Sequence, residues 1–541
     1  MEQTVHLRVT DAATGRLLPC RVHLRDAYGQ PRLPLGYLPD PPVAPGQEVG
    51  GHLVSQGKVW AYIDGSCEVR LPPGRVTVEV WHGPAYAPTV WETDRGQGRI
   101  AIRVRLSQVL APPPGWHWAD TRVHFLSPAV AALEGAAEGL TLVHLLAARR
   151  EKPLPRLANL LDFSGQDVLL QRFGCAVCVN TYQQGGVWGD LALLHCHRVV
   201  FPLTAGEPGF EHYTLADWAY QCHRKGGLVV WPGFPGSPGE RLPLAMLGEI
   251  DAVEWCAEAP WDASTLELWY ALLNAGRLLP VVGASGKPSN ALAVGAVRTA
   301  TWLGPVQPFS LANWVSAVKH GHTYATHGPI LEWRINDLAH PWEVPPLSPF
   351  SVPLTGPGSM LTPSESPLPR TPNAVSAAAA ATASPPAWCI VAHARSVTPF
   401  SRLEMICGGE VMASASASVV PVDNASVAAP LIGTSQPNPP GFVQHPTGVY
   451  CAGITWQLAA TKLDELPGSW LAFRCWDGHN LAAHTSPISL PRQTRLRECD
   501  RERLHEALAR AESVLVSVPH PRQSELLQRL RAARQTLRHL P

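Results

Sequence analysis

The chain has 541 residues, and its 43 lysines and arginines balance 43 aspartates and glutamates. This length predicts about three or four domains, and the charge balance argues against a broad surface for nucleic acid or anionic membrane. No run of about 18 apolar residues predicts a membrane span. The first residues, MEQTVHLRV, lack the basic and apolar regions of a secretory signal. Together with 12 scattered cysteines, these features lead us to expect a cytoplasmic protein.

Residues 1–110 predict an N-terminal β-sandwich. Apolar and polar residues alternate at 5–9, 21–25 and 75–80, which is typical of half-buried antiparallel strands. Glycine-containing turns follow at Thr14-Gly15 and Asp64-Gly65. These segments resemble the transthyretin-like, carboxypeptidase-regulatory type of sandwich, a module that usually folds and docks without chemistry of its own.

The sequence pattern differs in residues 116–335, where short apolar segments typical of strands alternate with segments typical of helices. The predicted strands lie at 140–146, 175–180, 191–194, 227–231, 252–255 and 279–283, and the helices at 129–137, 215–225 and 265–275. Alternating β and α elements over this length predict a parallel sheet closed, or nearly closed, into a distorted barrel. Chemistry in such barrels lies at the carboxyl ends of the strands.

The last third of the chain predicts a second β-sandwich and a helical tail. Residues 344–386 are rich in proline, serine and alanine and predict disorder. Strand patterns return within 387–492, where a second loose insertion is predicted near 413–440. Leucines at helical spacing within 497–541, interrupted by Pro519 and Pro521, predict a helical hairpin.

The most informative motif is Asp120-Thr121-Arg122-Val123-His124. Asp120, Arg122 and His124 are two residues apart, so on a strand they lie on one face. An acid and an imidazole on one face can begin a metal site. Arg122 cannot lose its proton and cannot bind a metal, and we expect it to pair with Asp120 or to receive an anion.

Residues 116–331 resemble the carbaryl-hydrolase-like (CehA/McbA) branch of the PHP metallohydrolases. The matching segments are DTRVHFLSP at 120–128, WAYQCHRKGG at 218–227, DAVE at 251–254 and LPVVGASG at 279–286. The resemblance implies a distorted seven-stranded barrel that holds two or three ions of zinc, manganese or iron. In that family, a metal-bound hydroxide attacks an ester or phosphoester.

Several ligands that the resemblance implies are replaced in this chain. Arg122 stands where the family's D-x-H-x-H motif has its first histidine, and Lys287 follows where an acid is usual. A catalytic zinc needs about three protein ligands. The residues that could still hold one ion, if they converge, are Asp120, His124, Asp190, His223 and Glu254. We expect either one divalent metal or none.

Two functions stay open on these grounds, and so does the question of whether the chain is an enzyme. One is a non-catalytic or weakly active homologue, a pseudoenzyme, in which Arg122 and Lys287 at the barrel mouth bind a small anionic or ester ligand. The alternative is an active metal-dependent hydrolase with one metal or an altered site, using Asp120, His124 and His223. Neither hypothesis involves nucleic acid or a membrane, and neither predicts a particular protein partner.

Overall fold

The computed structural model describes residues 2–36, 40–44, 47–95, 101–150, 156–336, 338, 340–342, 386–421, 448–492 and 496–540. The predicted disordered segment at 344–386 lies outside these residues except for Pro386, where a strand begins. Most of the second insertion, near 413–440, also lies outside them. Within the described residues the fold is rich in β-sheet, is built from several sheets, and ends in a helical tail.

The N-terminal part consists of strands around one apolar core. In β1, Val5, Leu7 and Val9 are fully buried while their neighbours are more exposed, as the predicted alternation requires. One sheet has the order β11-β1-β8, a second has β10-β9-β2-β7-β6 with β3 beside β2, and β4 pairs with β5. The strands are β1 (Gln3–Asp11), β2 (Cys20–Arg25), β3 (Pro31–Arg32), β4 (Asp40–Ala44), β5 (Gln47–Val49), β6 (His52–Ser55), β7 (Lys58–Ile63), β8 (Ser66–Leu71), β9 (Gly74–Trp81), β10 (Thr89–Arg95) and β11 (Ala101–Leu106).

The central part alternates strands and helices, as predicted, and helices flank its sheet. Its strands are β12 (Trp116–Val123), β13 (Leu142–Arg150), β14 (Arg156–Ala158), β15 (Leu170–Arg172), β16 (Cys175–Gln184), β17 (Asp190–Leu194), β18 (Leu228–Trp231), β19 (Ala252–Cys256), β20 (Val281–Ala284), β21 (Arg298–Trp302) and β22 (Thr323–Thr326). Its helices are α1 (Pro128–Ala137), α2 (Leu215–Arg224), α3 (Arg241–Leu247), α4 (Ala263–Asn274) and α5 (Leu311–Lys319). Short 3₁₀ turns occur at Leu160–Asp162 and Gly186–Trp188.

The central sheet is mixed, so the prediction of a parallel sheet is wrong in part. Its order is β20-β19-β18-β17-β16-β13-β12-β21-β22. β12, β13 and β16 are parallel, as are β18, β19 and β20, but β17 is antiparallel to both neighbours. The turn at 185–189 explains the reversal, because so short a link can join only antiparallel strands. The described backbone has no ladder between β20 and β12, although the Thr121 hydroxyl donates to the Gly283 carbonyl at 3.1 Å.

The C-terminal sheet is continuous with the central one, because β22 pairs with β30. From there the order continues β30-β29-β25-β26, and a separate sheet has the order β23-β24-β28-β27. The strands are β23 (Ile330–Ile335), β24 (Pro386–Ser396), β25 (Arg402–Cys407), β26 (Glu410–Ser416), β27 (Ser418–Val420), β28 (Val449–Ala459), β29 (Trp470–Asp477), β30 (Asn480–Thr485) and β31 (Ile488–Ser489), with a 3₁₀ turn at Ala460–Glu465. Residues 413–420 are therefore largely strand and not loose. The predicted domain bounds stay predictions.

The tail is the predicted hairpin of two helices, α6 (Glu498–Ser517) and α7 (Gln523–His539). Its buried leucines, among them Leu504, Leu508 and Leu530, belong to the same apolar core as α3 and α4. Arg529 donates to Glu240, a buried carboxylate at the start of α3, at 2.9 Å. In the described part of the chain, every helix is too short or too polar to cross a lipid bilayer.

Candidate functional site

A buried ion pair lies at the carboxyl ends of the central strands. Arg122, on β12, donates through Nε to both oxygens of Glu254 on β19, at 3.0 and 3.2 Å. Its Nη2 group lies 2.9 Å from Glu254 Oε1 and donates to Cys256 Sγ at 2.9 Å. The Glu254 side chain is fully buried, and that of Arg122 is 9% exposed. The guanidinium pairs with Glu254 and not with Asp120, so the predicted pairing with Asp120 is wrong.

Asp120 binds backbone amides instead. Its Oδ1 accepts hydrogen bonds from the backbone N–H groups of Arg122 and Ser285 at 3.1 and 3.0 Å. Its Oδ2 accepts from the Gly295 N–H at 2.7 Å. Burial raises the pKa of this carboxyl to about 6, against the lowering effect of these hydrogen bonds. Asp120 therefore fastens β12 to the segment after β20.

His124 is a neutral imidazole next to the ion pair. Its Nδ1 lies 3.3 Å from the Leu146 carbonyl, which can only accept, so Nδ1 carries the proton and Nε2 is the acceptor. Burial, and then the charge of Arg122, lowers its pKa to about 3. The ring lies edge-on to that of Tyr182, with 5.2 Å between centroids. His124 thus presents an uncharged ring at neutral pH.

Tyr182 and Asp190 complete the polar side of the site. The Tyr182 hydroxyl donates to Asp190 Oδ2 at 2.9 Å, and the Gly185 N–H donates to Oδ1 at 3.0 Å. The Arg122 guanidinium carbon lies 5.7 Å from the centre of the Tyr182 ring. Asp190 is therefore held by its own hairpin and by Tyr182, a residue that the sequence patterns did not single out.

These side chains border a cavity of about 1040 Å³, which we call the mouth cavity. Arg122, His124, Tyr182 and Asp190 line one side of it. The other walls come from Phe125, Trp188 and Tyr213, from residues 204–206, and from residues 518–521 between the two tail helices. The tail was predicted as a helical hairpin, but no pattern in the sequence placed its turn against the site.

Phe125 adopts a left-handed backbone conformation, with φ of +63°. Such a conformation is rare for a bulky residue and is retained only where the surroundings impose it. The backbone around it is fixed, because the His124 N–H donates to the Lys287 carbonyl at 3.3 Å and the Gly286 N–H donates to the Arg122 carbonyl at 3.0 Å. This arrangement places an aromatic ring at the wall of the mouth cavity.

Four of the predicted site residues do not line the mouth cavity, namely Asp120, Glu254, Lys287 and His223, and the last two have partners elsewhere. Lys287 is fully buried, where its Nζ lies 3.3 Å from Glu134 Oε2 and donates to the Leu292 carbonyl at 2.7 Å. His223 lies on α2, with Nε2 at 2.9 Å from Asp251, the residue that precedes β19. The Asp251 hydrogen bond raises the pKa of His223. His223 therefore lies toward the amino end of the strands, and its predicted convergence with Glu254 is wrong.

The side chains present do not fit the two or three metal ions that the sequence resemblance implies. Within the described residues, no three His, Cys, Asp or Glu side chains are grouped so that they could hold an ion. Asp120 already accepts three amide hydrogen bonds, and Glu254 is held by Arg122. Burial also raises the pKa of the Cys256 thiol to about 12, which disfavours the thiolate that binds metals.

Comparisons with known proteins leave the family unassigned. No family model matches the sequence, and no curated protein matches it. The solved structure of PsfC from Pseudomonas syringae PB-5123 aligns with 38% of this chain and 89% of its own, at 18% identity and a TM-score of 0.26. A likeness at that level carries no argument about fold or function.

Proposed function

We propose that this chain is a metal-independent, ligand-binding protein of PHP-like, CehA/McbA-type ancestry, whose ligand occupies the mouth cavity. The observation that carries the proposal is the Arg122–Glu254 ion pair, because the sequence resemblance implies a metal ligand at position 122. A guanidinium in that position would repel a dication and already neutralises the acid that could bind one. Hydrolysis through a metal pair is therefore not the function we propose.

The order of the central strands supports the PHP-like part of the proposal. Seven strands, β12, β13 and β16 to β20, follow one another in the sheet. Side-chain hydrogen bonds connect the first with the last, from Thr121 to the Gly283 carbonyl and from the Ser285 N–H to Asp120. A distorted barrel of seven strands is what the resemblance implies, and the proposed site lies at the carboxyl ends of the parallel strands of this sheet.

The groups around the mouth cavity favour a small molecule with a carbonyl group and an apolar body. Arg122 Nη1 lies 4.0 Å from Glu258, beyond hydrogen-bond distance, so its N–H groups can donate to a ligand oxygen. Glu254 offsets the charge of Arg122, which makes an ester carbonyl as acceptable as a carboxylate. Phe125, Trp188 and Tyr213 supply aromatic walls.

The direct test is calorimetric titration of the full-length protein, purified without chelator, with benzoate and with methyl benzoate. These two probes share the carbonyl and the ring and differ in charge. We expect binding with a Kd of about 1 mM or tighter and well under one transition-metal ion per chain by elemental analysis. Preference for benzoate would assign a carboxylate ligand, and preference for methyl benzoate would assign an ester.

Two variants show whether binding occurs at the proposed site. Arg122→Lys keeps the charge but loses the paired hydrogen bonds, and Tyr182→Phe removes the contact with Asp190. Both should weaken binding several-fold. The matched control is Tyr220→Phe, because Tyr220 is exposed on α2 and does not line the mouth cavity. Stoichiometric metal together with chelator-sensitive hydrolysis of methyl benzoate would refute the proposal and support the hydrolase alternative.

A further inference from the structure

Two buried cysteines lie in contact between the end of β17 and the end of α2. Cys196 follows β17, Cys222 lies in the last turn of α2, and their Sγ atoms are 3.3 Å apart. Both residues are at most 1% exposed. Gly227 makes room for them, since a Cβ at that position would come within 2.5 Å of each sulfur. The two thiols therefore occupy one small space.

We propose that Cys196 and Cys222 form a redox modification site that closes into a disulfide when the protein meets hydrogen peroxide. Peroxide oxidises one thiol to a sulfenic acid and releases water. The second sulfur then attacks the first, forms the S–S bond and expels the hydroxyl as a second water. Two thiols and one peroxide thus yield one disulfide and two waters, and a dithiol reverses the reaction by exchange.

The geometry makes the second step fast and the first step slow. The sulfurs need to approach by only about 1.2 Å to reach disulfide distance, so the sulfenic acid meets its partner before it meets solvent. Burial raises the pKa of the Cys222 thiol well above its usual value, which disfavours the reactive thiolate. Oxidation therefore follows local opening of the turn that holds Cys196.

That turn is the natural point of opening. The next residue, His197, is exposed, and it bonds to the Lys225 carbonyl. Gln166 donates to the His195 carbonyl, and the His195 N–H donates to Asn180 Oδ1. Hydrogen bonds exposed to solvent, such as those of His197 and Gln166, are typical of segments that open locally. Cys178 differs, because its Sγ faces His144 Nδ1 at 3.0 Å inside the central sheet.

The disulfide would close a loop that belongs to the mouth cavity. Between the two cysteines lie residues 204–206, Glu211 and Tyr213, all of which line it. A covalent link at the base of this loop restricts its opening. Oxidation would therefore make one wall of the cavity more rigid. The proposal of a disulfide does not rest on the proposed function, and its test uses no ligand.

The test is treatment of the native full-length protein with hydrogen peroxide, followed by alkylation and non-reducing peptide mapping. Combined cleavage by trypsin and an enzyme that cuts before aspartate isolates Cys196 in residues 190–198 and Cys222 in residues 217–224. We expect these two peptides to be linked, and the thiol count in denaturant to fall by two from the 12 of the reduced chain. Dithiothreitol should reverse both changes.

Cysteine variants and the identity of the oxidation products test the proposed disulfide. Cys196→Ala and Cys222→Ala should each abolish the linked peptide, whereas Cys178→Ala should retain it. The proposal is overturned if the wild type keeps both thiols under peroxide, if Cys196 is recovered as a sulfinic acid without a link, or if Cys222 is linked to another cysteine. If a variant fails to fold, the wild-type peptide map still decides between these results.

Discussion

Two buried ion pairs flank the segment after β20, and they differ in what they can do. The Arg122–Glu254 pair, the cavity pair, borders the mouth cavity. The Lys287–Glu134 pair, the sealed pair, has no exposed side-chain surface on either partner. Glu134 also accepts a hydrogen bond from the Gly51 N–H at 2.9 Å, so the sealed pair ties the N-terminal part to the central one. One pair can meet a ligand, while the other can only stabilise the fold.

The comparison shows that a cation at a strand end is not a binding group by its position alone. Arg122 and Lys287 come from neighbouring backbone segments, linked by the hydrogen bond from the Gly286 N–H to the Arg122 carbonyl. Their side chains nevertheless point to opposite surroundings, one to the cavity and one to the core. Four predictions, from the largest expected effect to the smallest, challenge or refine this distinction.

The largest effect should come from Lys287→Met. This change leaves Glu134 without its cation in a fully buried place, so we expect the free energy of unfolding to fall by about 3–5 kcal/mol. Urea unfolding followed by circular dichroism measures it. Adding Glu134→Leu should recover much of the loss, because no buried charge then stays unpaired.

The control is Lys58→Met, whose partly exposed pair with Glu79 should contribute less than about 1 kcal/mol. Equal losses in both variants would contradict the distinction.

Arg122→Met should destabilise the protein less, by about 1–3 kcal/mol. Glu254 keeps the hydrogen bond from the Gly233 N–H at 3.1 Å, and the space left by Arg122 opens toward the cavity. Combining it with Glu254→Leu should restore stability but not benzoate binding. Recovery of binding in the double variant would show that the cavity pair, like the sealed pair, is only structural.

The pH dependence of the free energy of unfolding should also distinguish the two pairs, because His124 lies beside the cavity pair. Its folded pKa of about 3 is below the unfolded value, so protons bind the unfolded state preferentially between those two values. Stability contributed by neutral His124 is therefore complete above about pH 6.5 and is lost as the pH falls toward 3. His124→Leu should reduce the slope of unfolding free energy against pH by about 1.4 kcal/mol per unit near pH 5. The control is His479→Leu, which replaces a histidine at an exposed turn outside the site.

The smallest effect should come from Arg149→Ala at the rim of the mouth cavity. Its side chain is 39% exposed and lies 3.5 Å from Glu207, so we expect a change in unfolding free energy below about 0.5 kcal/mol. Benzoate affinity should fall about two- to five-fold, since a screened rim charge contributes little to binding. A loss of binding as large as that of Arg122→Lys would place the anchoring cation at the rim.

Local sequence patterns predicted the strands and helices well, but they predicted poorly which distant residues contact one another. Alternation placed the buried residues of β1, and leucine spacing placed both tail helices. The partner of Arg122 is 132 residues away in the chain, and no local period encodes such a contact. The direction of Lys287 depends on a left-handed backbone at Gly286, and spacing carries no information about it. The contacts between the site residues therefore could be established only from the three-dimensional structure.

The pairing of β22 with β30 bears on how the chain folds as it is synthesised. Tyr324 is opposite Thr485, and Thr326 is opposite Ala483. The edge strand β22 of the central sheet therefore pairs with a strand that is synthesised about 160 residues later. Until then one side of β22 has unpaired backbone groups, and such an edge invites pairing with another chain. The central sheet is thus completed late in translation, and we expect truncated chains that end before residue 480 to depend most on chaperones.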